Sequence, residues 1–411
     1  MKSTPHCLRI FVYRLRIFAL GIVLLTSAGV ASASDVHTNP LNRDPLVREA
    51  SDHFYNLDYP GAVERFERFH AAHPGDPQAS ALLLDALVFQ ELYRLDLLDT
   101  TFYANDGFLT GRHAVVEDPK TRDRILALAD EAIHEADWRL SKNQNDVDAL
   151  YARGWARSLK CTYIAMVERA YISGFKLALA AKNDHVRVLQ LDPDYIDAKL
   201  VVGVYEYVVG ALPLPFKLLI GFAGMSGSKS RGLEMLTDDG NRGIATSVEA
   251  RTTMALFLRR EARYAEAVKV VQSLRQQYPR DYLFSLEEAN LRKDAGEGMA
   301  AVSAYRDILA ANKPGYYYSA RMELAYFGLG DALRGQRHFA DAAQSYEQAA
   351  LTPNVGPELK IRSLLNAGEC HDLNGERQPA LRDYQMAIDA GPNTSRADTA
   401  RKYLRTAYEG T

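Results

Sequence analysis

Residues 221–232, GFAGMSGSKSRG, have the composition of a phosphate-binding loop, with glycines crowding toward a lysine and a serine. A nucleotide cradle needs a glycine, four residues and then Gly-Lys-Ser or Gly-Lys-Thr, placed between a strand and a helix so that backbone N–H groups surround the phosphates. Here Ser228 separates Gly227 from Lys229, so the lysine is out of register, and no alternation of strands and helices surrounds it. ATP is not expected as a ligand. The ten histidines are scattered. His70 and His73 have a helical spacing that could reach one metal ion, but they close a repeat's helix and read as a solvated tail. Cys370, His371 and Asp372 are contiguous, which throws their side chains to different faces of a helix. No Gly-x-Ser-x-Gly elbow occurs. The expectation is no catalytic set, no cofactor and no metal, and a protein that is not an enzyme.

The elements that carry these residues repeat. An alanine, a bulky residue, an apolar residue and a proline recur at one spacing: Ala62, Phe66, Phe69 and Pro74; Ala267, Val271, Leu274 and Pro279; Ala380, Tyr384, Ala387 and Pro392. Looser copies run through Ala181, His185, Val188 and Pro193, and through Ala342, Tyr346, Ala349 and Pro353. Intervals of four and three trace one face of a helix, and the proline ends it. Twelve positions before the alanine a small residue returns, at Ala50, Ala255, Gly330 and Gly368. A less regular unit passes through Ala301, Tyr305 and Ile308 to Pro314.

Around Gly330 the run Tyr326, Leu329, Gly330 and Leu333, followed by Ala342, resembles the tetratricopeptide (TPR) repeat, a helix-turn-helix unit. The resemblance implies an all-α solenoid, an alpha-alpha superhelix in which each pair completes the core that its neighbour cannot bury alone. Alanines sit where backbones cross, while Phe66, Val271, Tyr346 and Tyr384 fill the layers. The peptide-carboxylate clamp of some such domains needs Lys and Asn at fixed places on successive first helices. Those places hold Val47 and Ser51, Thr252 and Leu256, Phe327 and Asp331, and Leu365 and Glu369, so that clamp is not expected.

Three segments depart from the pattern. Within residues 75–145, QASALLLDALVFQELYRLDLLD reads as a long helix, and two aromatic-bearing runs around Asn105-Asp106-Gly107 give a hairpin signal, because Asp-Gly tolerates a tight turn. Phe102, Tyr103 and Phe108 of that insert either pack over adjacent helices or touch a ligand. Between Gly154 and Ala181 the chain has 15 residues more than the regular interval, which predicts two helices lengthened by about two turns. After Gly203, Leu212-Pro213 breaks the helix and Phe216, Leu218, Leu219, Ile220 and Phe222 form an apolar plug. Gly203, Leu212-Pro213, the apolar run, Gly221-Phe222, Gly224 and Gly232-Leu233 resemble the characteristic segment of the eukaryotic inclusion-body-clearance family of outlying TPR proteins. That resemblance implies a helical scaffold with a suggested link to lipid or inclusion handling, and no catalytic residues. The plug either fills the concave face or covers the end of the lengthened helices, or else it walls a hydrophobic site. In the last case it would act with Phe102, Tyr103 and Phe108 and with the tyrosines Tyr205, Tyr207, Tyr316, Tyr317 and Tyr318, residues that combine apolar area with a hydroxyl.

The N-terminus adds a compartment. Arg9, Arg14 and Arg16 precede the apolar run IFALGIVLLTSAGV, which ends in a small-x-small site at Ala31 and Ala33. This is the pattern of a secretory signal peptide cleaved after Ala33, the alternative being an uncleaved anchor, and the 14-residue run is shorter than the about 20 residues a spanning helix needs. Without the first 33 residues, 45 basic side chains face 52 acidic ones, a balance unsuited to nucleic acid. Cys161 and Cys370 are too few for a disulfide framework. The expected organisation is a signal peptide at 1–33, a first unit at 34–74, an irregular section at 75–245 and regular repeats at 246–411. The expected function is an exported scaffold of the bacterial cell envelope that binds a protein or peptide partner. The alternative is a carrier of a hydrophobic or lipid-like ligand in a groove walled by residues 211–231.

Overall fold

The computed structural model describes residues 36–100, 116–212 and 226–410. Among them the chain forms seventeen α-helices and no strand. The helices pair in chain order: α1 (Pro45–Tyr55) with α2 (Tyr59–Ala72), α3 (Pro77–Arg94) with α4 (Pro119–Lys142), α5 (Val147–Met166) with α6 (Tyr171–Leu191) and α7 (Lys199–Ala211) with α8 (Lys229–Arg242). The series continues with α9 (Ser247–Arg260) and α10 (Tyr264–Gln277), α11 (Tyr282–Asp294) and α12 (Gly298–Ala311), α13 (Met322–Gly335) and α14 (Phe339–Leu351), and α15 (Pro357–Leu373) and α16 (Arg377–Ala390). α17 (Ser395–Arg405) packs on the last pair. Each pair leans on the next, which makes the all-α helix-turn-helix solenoid that the repeat spacing predicts.

Local chemistry fixes the helix ends. Asp44, Asp58, Asp76 and Asp118 each accept a backbone N–H of the helix they open, and a proline follows in the first turn. The turn inside a regular unit needs one left-handed residue, seven positions after the small one: Leu57, Ala262, Gly296, Arg337 and Gly375, all with φ between 56 and 80°. Only two of the five are glycine, so three units accept the strain of a side chain there.

The pairs lock through small residues and tyrosines. Ala62, Ala181, Ala267, Ala301, Ala342 and Ala380 are fully buried. A Cβ at Gly330 would stand 2.7 Å from the Tyr346 ring, and one at Gly368 would stand 2.6 Å from Tyr384. The buried rings then anchor their hydroxyls on the first helix: Tyr305 to Asn290 Oδ1 at 2.5 Å, Tyr346 to Asp331 Oδ1 at 2.7 Å and Tyr384 to Asp372 Oδ2 at 2.9 Å. A buried phenol needs such a partner, which is why the bulky position is tyrosine in these units.

The lengthened pair is present: α5 and α6 have 20 and 21 residues against 14 and 13 for α13 and α14. The long helix expected up to Asp99 stops at Arg94, and Asp96 turns the chain with φ 61°. The aromatic insert expected around Phe102, Tyr103 and Phe108, the plug expected around Phe216 and Phe222, and the expected signal peptide at 1–33 lie outside the described residues. The glycine-rich stretch ends in a helix start: Ser228 Oγ accepts from Arg231 N, and Lys229 pairs with Glu261 at 2.9 Å. A Cβ on Gly227 would stand 2.5 Å from Glu206 O, so the glycine permits close packing. Cys161 and Cys370 are free thiols, and no described helix is long and apolar enough to cross a membrane.

Candidate functional site

Phe54, Arg259, Arg334 and Asp372 each follow the small position of their unit by four residues, so they hold one register on the first helices α1, α9, α13 and α15. In the first half of the solenoid this face is closed by the chain itself. Tyr55 of α1 donates to Glu249 Oε1 of α9 at 2.5 Å, and its ring lies 5.1 Å from that of Tyr278. Tyr93 of α3 donates to Ser319 O at 2.8 Å, and Arg321 pairs with Asp96. Thr100 donates to Glu287 Oε2, and the buried Arg259 reaches the same oxygen at 3.1 Å and Asp294 at 2.5 Å. The first two units are thereby bound to the fifth, sixth and seventh.

Beside this closure lies a partly open cavity of about 170 Å³ between α1, α3, α9 and α11. Phe54, Phe89, Phe284 and Leu286 supply apolar wall, and Glu249, Asp281 and Glu287 supply carboxyl groups. Burial pushes Asp281 up to about 8. Burial likewise pushes Glu287 up to about 7 against the opposing pull of Arg259. Glu249 is also raised by burial. Glu249 Oε2 and Glu287 Oε1 have no hydrogen-bond partner among the described residues. Carboxyl oxygens in an apolar wall suit a small ligand with an amine or hydroxyl, because a buried oxygen without a partner costs free energy that such a group would recover. The described lining contains no histidine, cysteine or lysine; its hydroxyl–carboxyl pairs are Thr100 with Glu287 and Tyr55 with Glu249.

In the second half the same register holds a piece of extended chain. After α17, Thr406 takes β-region angles (φ −134°, ψ 125°) and the tail crosses back over α13 and α15. Tyr408 N donates to Asp372 Oδ2 at 2.8 Å, Arg334 Nη2 donates to the Tyr408 hydroxyl at 3.1 Å, and the Tyr408 ring lies 5.2 Å from Tyr403. Next to it Arg334 pairs with Glu369, and the Arg362 guanidinium covers the Phe327 ring at 4.6 Å.

The residues singled out in the sequence fall in separate places. Tyr205 and Tyr207 are buried on α7, Tyr207 stacking on Phe257 at 3.7 Å and donating to Glu261 at 2.8 Å. Tyr316, Tyr317 and Tyr318 form the turn between α12 and α13, where Tyr317 packs on Tyr282 and Arg280 stands over Tyr318 at 4.3 Å. Phe102, Tyr103, Phe108, Phe216 and Phe222 lie outside the described residues. His70 and His73 diverge, His70 toward Ser80 and His73 toward Phe69 O. Sequence reasoning missed the cavity carboxyls and the tail site, since Glu249 and Glu287 stand among helix-forming residues and Tyr408 follows the last repeat.

No family model matches the chain, and no curated protein does. Among solved structures it is similar to a tetratricopeptide repeat protein from Parabacteroides merdae, with 16% identity over 78% of this chain and 97% of that one and a TM-score of 0.32. It is also similar to yeast Tom70, with 11% identity over 88% of each chain and a TM-score of 0.36.

Proposed function

We propose that the chain is a non-catalytic helical-repeat scaffold that binds an extended segment of a partner protein on the inner register of its last units. The observation that carries this reading is the chain's own tail. Residues 406–410 already lie there, with a backbone N–H on Asp372 and an aromatic hydroxyl on Arg334. A carboxylate that takes a peptide N–H, an arginine that takes a side-chain oxygen and an aromatic floor are the elements by which a groove holds an extended peptide. The arginine-rich segment and apolar run at the N-terminus support export of this scaffold to the cell envelope, with the leader removed after Ala33.

Native mass spectrometry on protein purified gently from its own cells tests the proposal. A second polypeptide of fixed stoichiometry that disappears in Arg334→Glu supports it. A bare chain in both proteins, with the same result after chemical crosslinking, overturns it.

The cavity beside Glu249 and Glu287 favours a second reading, a carrier of a small ligand with an apolar body and one polar end. A small mass lost on activation from the wild type but absent from Glu249→Gln would select that reading. Replacement of Phe216 and Phe222 by Ser asks separately whether the apolar plug takes part in uptake.

A further inference from the structure

Outside the inner face, one cluster of side chains has the chemistry of a metal site. His371 stands in the last turn of α15, Glu347 in α14 and Asp383 in α16, so three consecutive helices each contribute one group. Their ligand atoms all lie within 4.8 Å of one another. His371 Nε2 is 3.3 Å from Glu347 Oε1 and 3.6 Å from Asp383 Oδ2. A tetrahedral ion with bonds of about 2.0–2.2 Å holds its ligands roughly 3.3–3.6 Å apart, which is the separation of His371 Nε2 from each carboxylate.

Two further observations point to a ligand and not to a chance meeting of charges. Asp383 is 5% exposed, and its Oδ2 has no hydrogen-bond partner although it points at His371. A buried carboxylate oxygen without a donor is costly unless something occupies the space before it. The other nitrogen of His371, Nδ1, is 2.8 Å from Glu376 Oε2. With Nδ1–H donating to Glu376, the Nε2 lone pair would face Glu347 and Asp383 and be available to an ion between them, the arrangement that orients metal-bound histidines.

We propose that Glu347, His371 and Asp383 bind one divalent transition-metal ion, with Zn²⁺ as the ion best matched to one imidazole and two carboxylates. Glu376 is a positioning residue, acting through His371. The two carboxylates balance the charge of the ion. The Glu347 side chain is 36% exposed, so that side opens to water, which would complete a fourth position. The ion would tie α14 to both helices of the following pair and so clip the last two units together.

The test uses the full chain stripped of metal with a chelator and titrated with ZnCl₂ by calorimetry. CoCl₂ serves in parallel as a probe whose visible bands report a four-coordinate site. One equivalent of Zn²⁺ and Co²⁺ bands are expected, and His371→Ala abolishes both. Glu347→Gln, on the open side, weakens binding at least tenfold. Glu376→Gln, which touches no metal, weakens it about 10–100-fold. Circular dichroism confirms that these two variants are folded, so the result does not depend on the buried positions. Absence of a saturable one-to-one heat and of Co²⁺ bands in the wild type overturns the assignment. So does binding that is undiminished in Glu347→Gln and Glu376→Gln.

Discussion

The phenolic O–H of Tyr55 meets Glu249 Oε1 at 2.5 Å across 194 positions of the chain. Their bond is one of several that seal the first units of the solenoid against the fifth to seventh. Glu249 is raised above the usual carboxylate range by burial, so its oxygens depend on such donors. Tyr55→Phe keeps the ring against Tyr278 and removes only the donor. It is expected to cost about 1–3 kcal/mol, read as a lower urea midpoint with an unchanged slope.

Asp281 opens α11 and accepts from Leu283 N at 2.8 Å, yet burial pushes it up to about 8. A carboxyl that binds its proton more tightly folded than unfolded lowers stability as pH rises from its unfolded value, about 4, to its folded one. Asparagine caps a helix as well as aspartate does and carries no charge. Asp281→Asn is therefore expected to match the wild type near pH 4 and to exceed it near pH 8 by on the order of 1–3 kcal/mol. Urea unfolding of both proteins at the two pH values checks this, and equal gaps at both would refute it.

The left-handed turn position separates the units by residue. Gly375 has φ 78° and open space where a Cβ would stand, so Gly375→Ala costs only the backbone strain, about 1 kcal/mol. Ala262, at φ 56°, already bears that strain, and Ala262→Gly is expected to be neutral or stabilising by up to about 1 kcal/mol. Gly330→Ala is a different case, because its Cβ meets the Tyr346 ring at 2.7 Å; overpacking there should cost about 1–3 kcal/mol. Thermal unfolding should place Ala262→Gly highest, Gly375→Ala next and Gly330→Ala lowest.

If the inner register of the last units recognises an extended peptide, the site becomes free when the tail is removed. A chain ending at Arg405 is expected to bind the synthetic peptide Thr-Ala-Tyr-Glu-Gly-Thr in calorimetry, with Tyr408→Ala in the peptide, or Arg334→Ala in the chain, weakening it at least tenfold. Failure of the truncated, folded chain to bind the peptide would mean that the tail is held only by its covalent link.

The regular units were legible because their contacts are local. Gly330 and Tyr346, or Gly368 and Tyr384, lie 16 apart and must pack wherever that interval recurs. The closure was not legible, because nothing in the spacing of Tyr55, Thr100 or Arg321 relates them to Glu249, Glu287 or Asp96. The cluster around His371 was missed for a related reason. Considered with its neighbours Cys370 and Asp372, His371 has no ligand partner on its own helix face, and Asp372 does point elsewhere, to Arg377 and Tyr384. Its partners come from the helices before and after, at positions 347 and 383, where only the stacking of pairs brings carboxylates to the imidazole.

A solenoid whose contacts are all between neighbours can begin to fold anywhere and fray from either end. The bonds of Tyr55, Tyr93 and Thr100 to α9, α11 and the segment before α13 change that order. The first two units leave the ribosome long before their partners exist, and their sealing face stays exposed until about 320 residues have been made. If the chain is exported as proposed and crosses a membrane unfolded, that delay would be an asset, because the segment that enters first lacks the later partners that seal it.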